Sequence, residues 1–376
     1  MPGQPAPAVT RQTLLDTLQA FKRTSLLRAG VELGVFDALA DGPLGAEELA
    51  GAVGAPARAV RVLLGASAAC GLLGCADGRY ALPEGGAELL VSSSPQFAGH
   101  AVRINASDWE WEAMRDLAAA VRKGGTLLAP DATEPGFGYW RDFAADGTFV
   151  TRASAAVLAE ENRDWAEARP EPRVLDVGCG HALFGLDFAL RHPGAVVHGL
   201  DRPDVLEAAR ARAGELGLAE RTVFLAGDAF TATLDGPYDL VVAANLLPLF
   251  PEDEGTALLR RLAGALRPGG RLVTVGFAVD GGPPEAEHAA HLLSLLMLVA
   301  TPGGEAHSLA ATRRMLAGAG LAEVSARRVD PLPVHVVTAE PAADGAVDEP
   351  LDESVDEPLD EPVGATNPDP EEGAGR

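Results

Sequence analysis

The chain has 376 residues, a hydrophobic content of 47% and a formal net charge of −24. This length accommodates two domains and a large core. No uncharged apolar run reaches the ~18 residues of a membrane span, and no charged, apolar leader is present, so we expect a cytoplasmic protein with no membrane partner. The number and spacing of the cysteines exclude a disulfide framework and a zinc motif.

The N-terminal region is predicted to form helices followed by a small hairpin. Apolar residues recur at helical spacing in three stretches, and a short strand with a proline–glycine turn follows them. The helices are predicted at residues 13–39, 46–53 and 56–73, the strand at 78–82 and its turn at 83–86. This order is typical of a winged helix, which we place at residues 12–100, after a disordered N-terminus of residues 1–11.

Two functions are compatible with a winged helix, DNA binding and dimerisation. A DNA-binding domain needs a basic recognition helix, whereas the candidate helix carries Arg58 and Arg61 on a strongly negative chain. Because phosphate contacts dominate DNA affinity, we expect no nucleic-acid partner. Residues 12–39 present more apolar side chains than one small domain can bury, which predicts a homodimer interface.

The segment RVLDVGCGHALFG at residues 173–185 carries the most informative pattern of the chain. An apolar strand ends in Gly178-Cys179-Gly180, and a helical pattern begins directly after it. Glycine suits such a turn because the backbone takes unusual dihedral angles and a ligand approaches it closely. The segment therefore predicts a strand, a ligand-binding glycine loop and a helix N-terminus.

Three further apolar runs end in polar residues that are typical of a nucleoside site. Asp201 ends the run at residues 196–200, 21 residues after Gly180, where a carboxylate can bind both ribose hydroxyls. Asp228 and Phe230 follow the third run and are expected to contact adenine. The predicted cofactor-binding residues are Asp176, Gly178, Cys179, Gly180, Asp201, Arg202, Asp228, Ala229, Phe230 and Asn245.

The glycine loop favours one nucleoside over the others. A dinucleotide fingerprint requires a third glycine, and Leu183 occupies that position. Asp176 instead places a carboxylate on the strand before the loop, which suits a cation rather than a diphosphate. S-adenosylmethionine carries an ammonium and a sulfonium group, so it is favoured over NAD or FAD and over an α/β domain that binds no nucleotide.

In these residues and in their order, the chain resembles the bacterial small-molecule O-methyltransferases related to caffeate and acetylserotonin O-methyltransferases. The resemblance extends from about residue 12 to about residue 340 and includes LLRAGVELGVFDAL at 26–39, GLLGCADGRYAL at 71–82, LRPGGRLVTV at 266–275 and MLVATPGG at 297–304. It implies an α/β fold in which a mostly α-helical winged-helix dimerisation domain is followed by a helical linker and a Rossmann-like seven-stranded methyltransferase domain. The linker, at residues 101–165, is expected to form part of the substrate pocket. The methyltransferase domain, at residues 166–340, is expected to have an antiparallel end, and the protein to form an intertwined homodimer.

The chain departs from the family where relatives keep their catalytic base. Relatives follow the fourth strand with Asn-x-Leu-His, and this histidine deprotonates the substrate hydroxyl. Pro248 occupies its position here, and proline accepts no proton. The glutamate that supports the histidine in relatives is replaced by Ala306. The catalytic group is therefore unknown, with Asp108, His291, Glu305 and His307 as weak candidates.

The resemblance also implies a substrate pocket. Family positions that match Met297 and Thr301 face the substrate, and Ser294 shares that helical face. Aromatic residues of the linker are expected beside them. The predicted pocket consists of Trp109, Trp111, Phe143, Ser294, Met297 and Thr301. The spacing of His288 and His291 matches no metalloprotease motif, so no metal is expected.

These observations predict an S-adenosylmethionine-dependent methyltransferase that acts on a small, aromatic or polyketide-type metabolite. A positioned base contributes roughly 10²–10⁴-fold to a rate. Without the usual base, either the acceptor is an acidic oxygen, a thiol or a carbon, or another residue replaces the histidine. The alternatives are a relative that binds the cofactor but catalyses decarboxylation, hydroxylation or cyclisation and, more remotely, a winged-helix DNA-binding regulator.

The C-terminal tail, residues 341–376, contains 12 acidic residues and one arginine. Its regular prolines block a helix, and its like charges repel one another. Because it has few apolar groups to bury, we predict that the tail is disordered. Its function is either to keep the protein soluble or to dock on a basic partner.

Overall fold

The computed structural model describes residues 9–146, 151–330 and 332–342. The predicted disordered N-terminus and acidic tail fall mostly outside these ranges. At the two borders, the first helix begins at Arg11 and the last strand ends at Pro341. One residue of each predicted disordered segment therefore belongs to regular structure.

The N-terminal region of the described chain combines helices with a small sheet. Its elements are α1 (Arg11–Glu32), α2 (Val35–Ala38), β1 (Leu44–Gly45), α3 (Ala46–Ala52), α4 (Ala57–Ala69), β2 (Gly74–Ala76), β3 (Arg79–Ala81) and α5 (Gly86–Leu90). Strand β3 pairs antiparallel with both β1 and β2. Within the described ranges no single helix is long and apolar enough to cross a membrane, and α3 with α4 meets that criterion only as a pair bent by 113°.

Two local predictions for this region are wrong in detail. The helical pattern at residues 13–39 is interrupted at Gly34, whose φ of 69° separates α1 from α2. This break lets Phe36 turn back onto α1, where a Cβ on Gly30 would lie 2.6 Å from the Phe36 ring. The β2–β3 turn is formed by Asp77 and Gly78, with φ angles of 50° and 73°. Residues 83–86 lead into α5 instead, because β3 pairs with the strand before it.

Further helices follow, over the stretch for which a helical linker is predicted. They are α6 (Gly99–Asn105), α7 (Asp108–Arg115), α8 (Leu117–Lys123), α9 (Tyr139–Asp146), α10 (Thr151–Glu161) and α11 (Arg163–Glu167). Helix α7 begins at a serine cap, because the Ser107 hydroxyl accepts a hydrogen bond from Glu110 N at 3.2 Å. Helices α7 and α8 both pack against a later helix, α15 (His288–Ala300).

The large sheet of the described chain matches the predicted methyltransferase topology. Its strands are β4 (Arg173–Val177), β5 (Val196–Asp201), β6 (Thr222–Ala226), β7 (Tyr238–Ala244), β8 (Leu266–Phe277), β9 (Leu321–Arg328) and β10 (Val334–Pro341). They form a seven-stranded sheet in the order β6-β5-β4-β7-β8-β10-β9. Strands β4 to β8 pair in parallel, whereas β10 is antiparallel to β8 and β9. The predicted Rossmann-like sheet with an antiparallel end is confirmed.

Helices cover both faces of this sheet. Besides α15, they include α12 (Leu183–Arg191), α13 (Leu206–Glu215), α14 (Glu252–Ala263) and α16 (Leu309–Gly318). All seven residues of β7 are buried, as expected for a parallel strand enclosed between two helical layers. The carboxyl ends of β4 to β7 consequently lie at one edge of the sheet, where open α/β sheets bind their ligands.

Candidate active site

The glycine loop joins β4 to α12 at this carboxyl edge. Gly178 and Gly180 have positive φ angles of 62° and 55°, which glycine adopts without steric cost. The backbone N–H groups of Gly178 and Cys179 both donate to Leu200 O, at 2.8 and 3.1 Å. A Cβ on Gly180 would meet no atom within 4 Å, so this side of the loop faces open space from which a ligand can reach the backbone.

Asp201 lies at the end of β5 and braces the glycine loop. Its Oδ2 accepts a hydrogen bond from Gly180 N at 2.8 Å, and its Oδ1 accepts one from Arg202 N at 2.7 Å. Burial raises the pKa of Asp201, and these two N–H groups oppose the rise. Each carboxylate oxygen keeps a second lone pair that a hydroxyl group can use.

Asp176 lies enclosed next to the same loop. Asp176 is only 1% exposed, and its Oδ2 accepts a hydrogen bond from Gly185 N at 2.9 Å. Burial raises the pKa of Asp176 to about 7, although the bond from Gly185 opposes the rise. A cationic ligand beside the loop would stabilise the charged carboxylate, so this site suits an ammonium group.

The loops after β6 and β7 hold the remaining predicted cofactor residues. Asp228 Oδ1 accepts a hydrogen bond from Phe230 N at 2.9 Å, which curls the loop after β6. Phe230 packs edge-on against Phe250, with ring centroids 5.0 Å apart, and Ala229 packs against the same side of the sheet. Asn245 has a left-handed φ of 54° at the end of β7. The structure thus brings the four strand ends that carry the predicted cofactor-binding residues to one edge of the sheet.

Arg202 connects this edge to the linker. Its Nη1 donates to Glu134 O at 2.6 Å, and its Nη2 donates to Phe137 O at 3.0 Å. Because Arg202 directly follows Asp201, these bonds hold the segment around Phe137 beside the carboxyl end of β5.

Aromatic residues of the linker pack together into the aromatic cluster, which consists of Trp109, Phe137, Tyr139, Trp140 and Phe143. Ring centroids of neighbouring members lie 4.4–6.2 Å apart. The cluster packs against Met297 and Ala300 of α15 and against Leu249. Sequence reasoning missed three of its members, although the segment FGYWRDF at residues 137–143 is a visible signal with its four aromatic residues.

Three other predicted pocket residues lie outside the aromatic cluster. Trp111 lies at the surface, and the Ser294 and Thr301 hydroxyls form hydrogen bonds within the fold. Trp111 is 39% exposed, and the Arg28 guanidinium lies 5.4 Å above its ring. The Ser294 hydroxyl accepts from Ala306 N at 3.0 Å. Thr301 is fully buried, and its Oγ1 donates to Met297 O at 2.8 Å and accepts from Gly304 N at 2.7 Å. The Ser294 and Thr301 hydroxyls therefore hold the loop that follows α15.

Pro248 lies in a buried turn, Leu247–Leu249, at the position of the family's base. The turn is anchored by His307, whose Nε2 lies 3.2 Å from Leu247 O and 3.0 Å from Phe250 O. Two carbonyl acceptors require a hydrogen on Nε2. The other ring nitrogen, Nδ1, is buried and has no hydrogen-bond partner among the described residues.

The other three catalytic candidates lie at the surface. The Asp108 side chain is 86% exposed and forms an ion pair with Arg28 at 2.6 Å. The His291 side chain is 43% exposed and lies 3.9 Å from Glu287. Glu305 is also exposed.

Two family models match the chain, an O-methyltransferase dimerisation domain at residues 15–92 and a methyltransferase domain at residues 174–270. Acetylserotonin O-methyltransferase of Mus musculus is 32% identical over 84% of this chain and 85% of that protein. The chain belongs to the O-methyltransferase family. The mitomycin biosynthesis 6-O-methyltransferase of Streptomyces lavendulae is 31% identical to this O-methyltransferase, over 81% of the chain and 87% of the relative.

Solved structures share the fold of this O-methyltransferase. A candidate O-methyltransferase from Nostoc punctiforme superposes with a TM-score of 0.81, at 29% identity, over 88% of this chain and 99% of that chain. Human N-acetylserotonin methyltransferase, solved in complex with S-adenosylmethionine, superposes with a TM-score of 0.75 at 23% identity. The resemblance drawn from the sequence is confirmed.

S-adenosylmethionine is the cofactor of this O-methyltransferase. The residues at the carboxyl edge fit it, since Gly180 borders open space and the buried Asp176 carboxylate has no ion-pair partner among the described residues. When bound, the cofactor supplies an electrophilic methyl group on a sulfonium sulfur. The protein contributes the binding groups and the surface against which an acceptor can be oriented.

Proposed function

We propose that this methyltransferase acts in the cytoplasm on a small, aromatic or polyketide-type secondary metabolite. The observation that carries this proposal is the aromatic cluster, which Arg202 links to the glycine-loop edge. A planar acceptor can stack on such rings while its reacting atom lies near the cofactor. The names of relatives support this class, since a Streptomyces sahachiroi relative, 29% identical, is a 3-hydroxy-5-methyl-1-naphthoate 3-O-methyltransferase.

The cofactor is held by the residues at the strand ends. Asp176 pairs with its ammonium group, Asp201 binds the ribose hydroxyls, and Asp228 with Phe230 contacts adenine. The supporting observations are the burial of Asp176 and the position of Asp201 beside Gly180. The experiment that tests the function is incubation with isotopically labelled S-adenosylmethionine and a panel of hydroxylated naphthoates and quinones, followed by mass spectrometry. We expect one labelled methyl group on an acceptor, whereas transfer to no member would contradict the proposal.

The variant Pro248→His should leave the transfer rate on the native acceptor unchanged or lower it. Pro248 is buried, and the supporting position Ala306 is buried and apolar. An imidazole introduced at position 248 has no carboxylate partner at position 306. The measurement is the initial rate of methyl transfer at saturating acceptor, with Pro248→Ala as the control for loss of the ring.

A gain of roughly 10-fold or more for Pro248→His alone would contradict this expectation. It would show that the family's base at this position had merely been lost and that a histidine can still act there. A wild type that binds the cofactor and transfers no methyl group would instead favour a relative with a different reaction.

The N-terminal region, which we interpret as a winged helix, forms the interface of a homodimer. Leu14, Leu15, Leu18 and Phe21 of α1 are 51–62% exposed and lie on one side of the helix. Contiguous apolar patches of this kind usually mark an interface. The match of residues 15–92 to a dimerisation domain supports the same assignment.

The double variant Leu18→Glu/Phe21→Glu should convert the dimer to a monomer, because each copy would then bury unpaired carboxylates in the interface. Light scattering at micromolar concentration measures the mass. Leu190→Glu is the matched control, since Leu190 is 48% exposed on α12 and its variant should remain dimeric. A monomeric wild type at the same concentration would refute the interface.

A further inference from the structure

The Arg202 side chain binds two carbonyl groups of the linker. Its Nη1 donates to Glu134 O at 2.6 Å, and its Nη2 donates to Phe137 O at 3.0 Å. A guanidinium group is planar and always charged, so two bonds from its terminal nitrogens fix the orientation of the bound backbone as well as its distance. Arg202 therefore determines where this part of the linker lies relative to the end of β5.

The bound segment, residues 134–138, is irregular backbone between α8 and α9. It contains Pro135 and Gly136, and the φ angle of Gly136 is 88°. Residues 134–136 are exposed, whereas Phe137 is buried. Because irregular surface backbone has no helix or sheet bonds of its own, its position depends on bonds to neighbouring elements. The two bonds from Arg202 are of this kind.

A second anchor holds the linker just before this segment. Ala132 N donates to Ala300 O, at the end of α15, at 2.9 Å. Trp140 Nε1 in turn donates to Ala132 O at 2.8 Å. The aromatic cluster is thus fixed to α15 through Ala132 and to the end of β5 through Arg202.

Phe137 connects these bonds to the aromatic cluster. It is 4% exposed, and its ring centroid lies 4.8 Å from that of Trp109. On its other side, Arg202 N donates to Asp201 Oδ1 at 2.7 Å, and Asp201 Oδ2 accepts from Gly180 N at 2.8 Å. Hydrogen bonds therefore join the glycine loop to the aromatic cluster by way of Asp201 and Arg202.

We propose that Arg202 is a positioning residue for the methyl acceptor, which sets the place of Phe137 relative to the glycine-loop edge, and that it is not a ligand of the cofactor. The assignment rests on the methyltransferase function proposed above, and it differs from the sequence prediction, which groups Arg202 with the cofactor-binding residues. Orientation of two reactants is a major source of rate, and a misplacement of about 1 Å can cost about 10²-fold. Loss of the two bonds should therefore impair use of the acceptor while cofactor binding persists.

The test compares wild type with Arg202→Met and Arg202→Lys. Methionine keeps an unbranched side chain but donates no hydrogen bond, and lysine keeps the charge but not the planar pair of donors. The acceptor is a hydroxynaphthoate or hydroxyquinone that the wild type methylates from labelled S-adenosylmethionine. Its kcat/KM should fall roughly 10- to 100-fold in Arg202→Met and by less in Arg202→Lys. The Kd of S-adenosylmethionine, measured by calorimetry, should remain that of the wild type in both variants.

Arg212→Met is the matched control. Arg212 lies on α13, the helix that follows β5, and pairs with Glu215 at 2.9 Å. Its variant removes a guanidinium near the same strand without touching the linker carbonyls. Both the acceptor kcat/KM and the cofactor Kd should match the wild type.

A second readout does not depend on turnover. Amide hydrogen exchange reports the local opening of a segment. Peptides that cover residues 133–143 should exchange faster in Arg202→Met than in wild type. Peptides that cover the glycine loop, residues 173–185, should exchange alike in the two proteins.

A double variant tests whether Arg202 acts through the Phe137 ring. Phe137→Leu removes the ring and keeps an apolar side chain. Residues that act through one contact are not additive, so Arg202→Met/Phe137→Leu should be little slower than the slower single variant. Losses in kcat/KM that multiply would contradict a path through Phe137.

The outcomes separate this assignment from the function on which it rests. Weaker binding of S-adenosylmethionine by Arg202→Met would make Arg202 a cofactor ligand and overturn the assignment. Unchanged exchange of residues 133–143, or unchanged acceptor kinetics, would overturn the positioning role. A wild type that methylates no acceptor would overturn the proposed function and the acceptor role together, while calorimetry and exchange would still decide whether Arg202 holds the linker or the cofactor.

Discussion

Asp201→Ala should weaken S-adenosylmethionine binding by about 1.5–3 kcal/mol, the range for lost hydrogen bonds to a charged group. This corresponds to roughly 10- to 150-fold in Kd. The carboxylate lies at the end of β5, braces Gly180 N at 2.8 Å and retains lone pairs for the ribose hydroxyls. Alanine removes both the ribose contact and the brace on the loop. Isothermal calorimetry on the purified protein measures the change.

Two further variants make this measurement specific. Asp204→Ala removes an exposed carboxylate three residues away and should bind as wild type does. Asp201→Asn keeps an acceptor for Gly180 N but loses the charge, so its affinity should fall between those of wild type and Asp201→Ala. Equal affinity of wild type and Asp201→Ala would refute the placement of the ribose.

Asp176→Asn should change stability and cofactor affinity in opposite directions. Burial holds the pKa of Asp176 at about 7, above the ~3.9 of an unfolded aspartate. Between about pH 4 and 7 the unfolded chain releases a proton that the folded protein keeps, so wild type loses stability as pH rises through this window. Asparagine has no such proton and can still accept from Gly185 N.

At pH 8 we therefore expect Asp176→Asn without cofactor to be more stable than wild type, by up to about 4 kcal/mol. At pH 4 the difference should vanish. The same variant should bind S-adenosylmethionine more weakly, because the carboxylate that pairs with its ammonium group is gone. Thermal unfolding at several pH values and calorimetry at pH 8 measure the two effects. The control is Asp187→Asn, since Asp187 already pairs with Arg191 at 2.9 Å. A pH-independent stability difference for Asp176→Asn would count against the buried carboxyl.

Local sequence signals were sufficient to predict the strands of the sheet and the edge that carries the predicted cofactor-binding residues. The apolar runs before Gly178, Asp201 and Asn245 became β4, β5 and β7 with nearly the predicted ends. Such signals are reliable because a buried parallel strand needs consecutive apolar residues, and the turn after it needs glycine or a polar residue. Since parallel strands end at one edge, the order of the motifs along the chain was enough to bring the predicted cofactor residues together.

The conformation of the first helix depended on tertiary contacts. The apolar spacing at residues 13–39 continues across Gly34, yet α1 stops and α2 turns so that Phe36 packs onto Gly30. A periodic pattern records which side chains prefer burial and does not record the direction from which the neighbouring element covers them.

The sequence by itself determined the family, the cofactor and the absence of histidine at position 248, because each of these is a residue type at a fixed distance from a strand. Only the tertiary structure decided which aromatic side chains pack together beside the cofactor-binding edge of the sheet. Trp109, Tyr139 and Met297 are far apart in the chain and come together only in the folded protein. Burial likewise raises the pKa of Asp176, and desolvation is a property of three-dimensional packing that no residue spacing encodes.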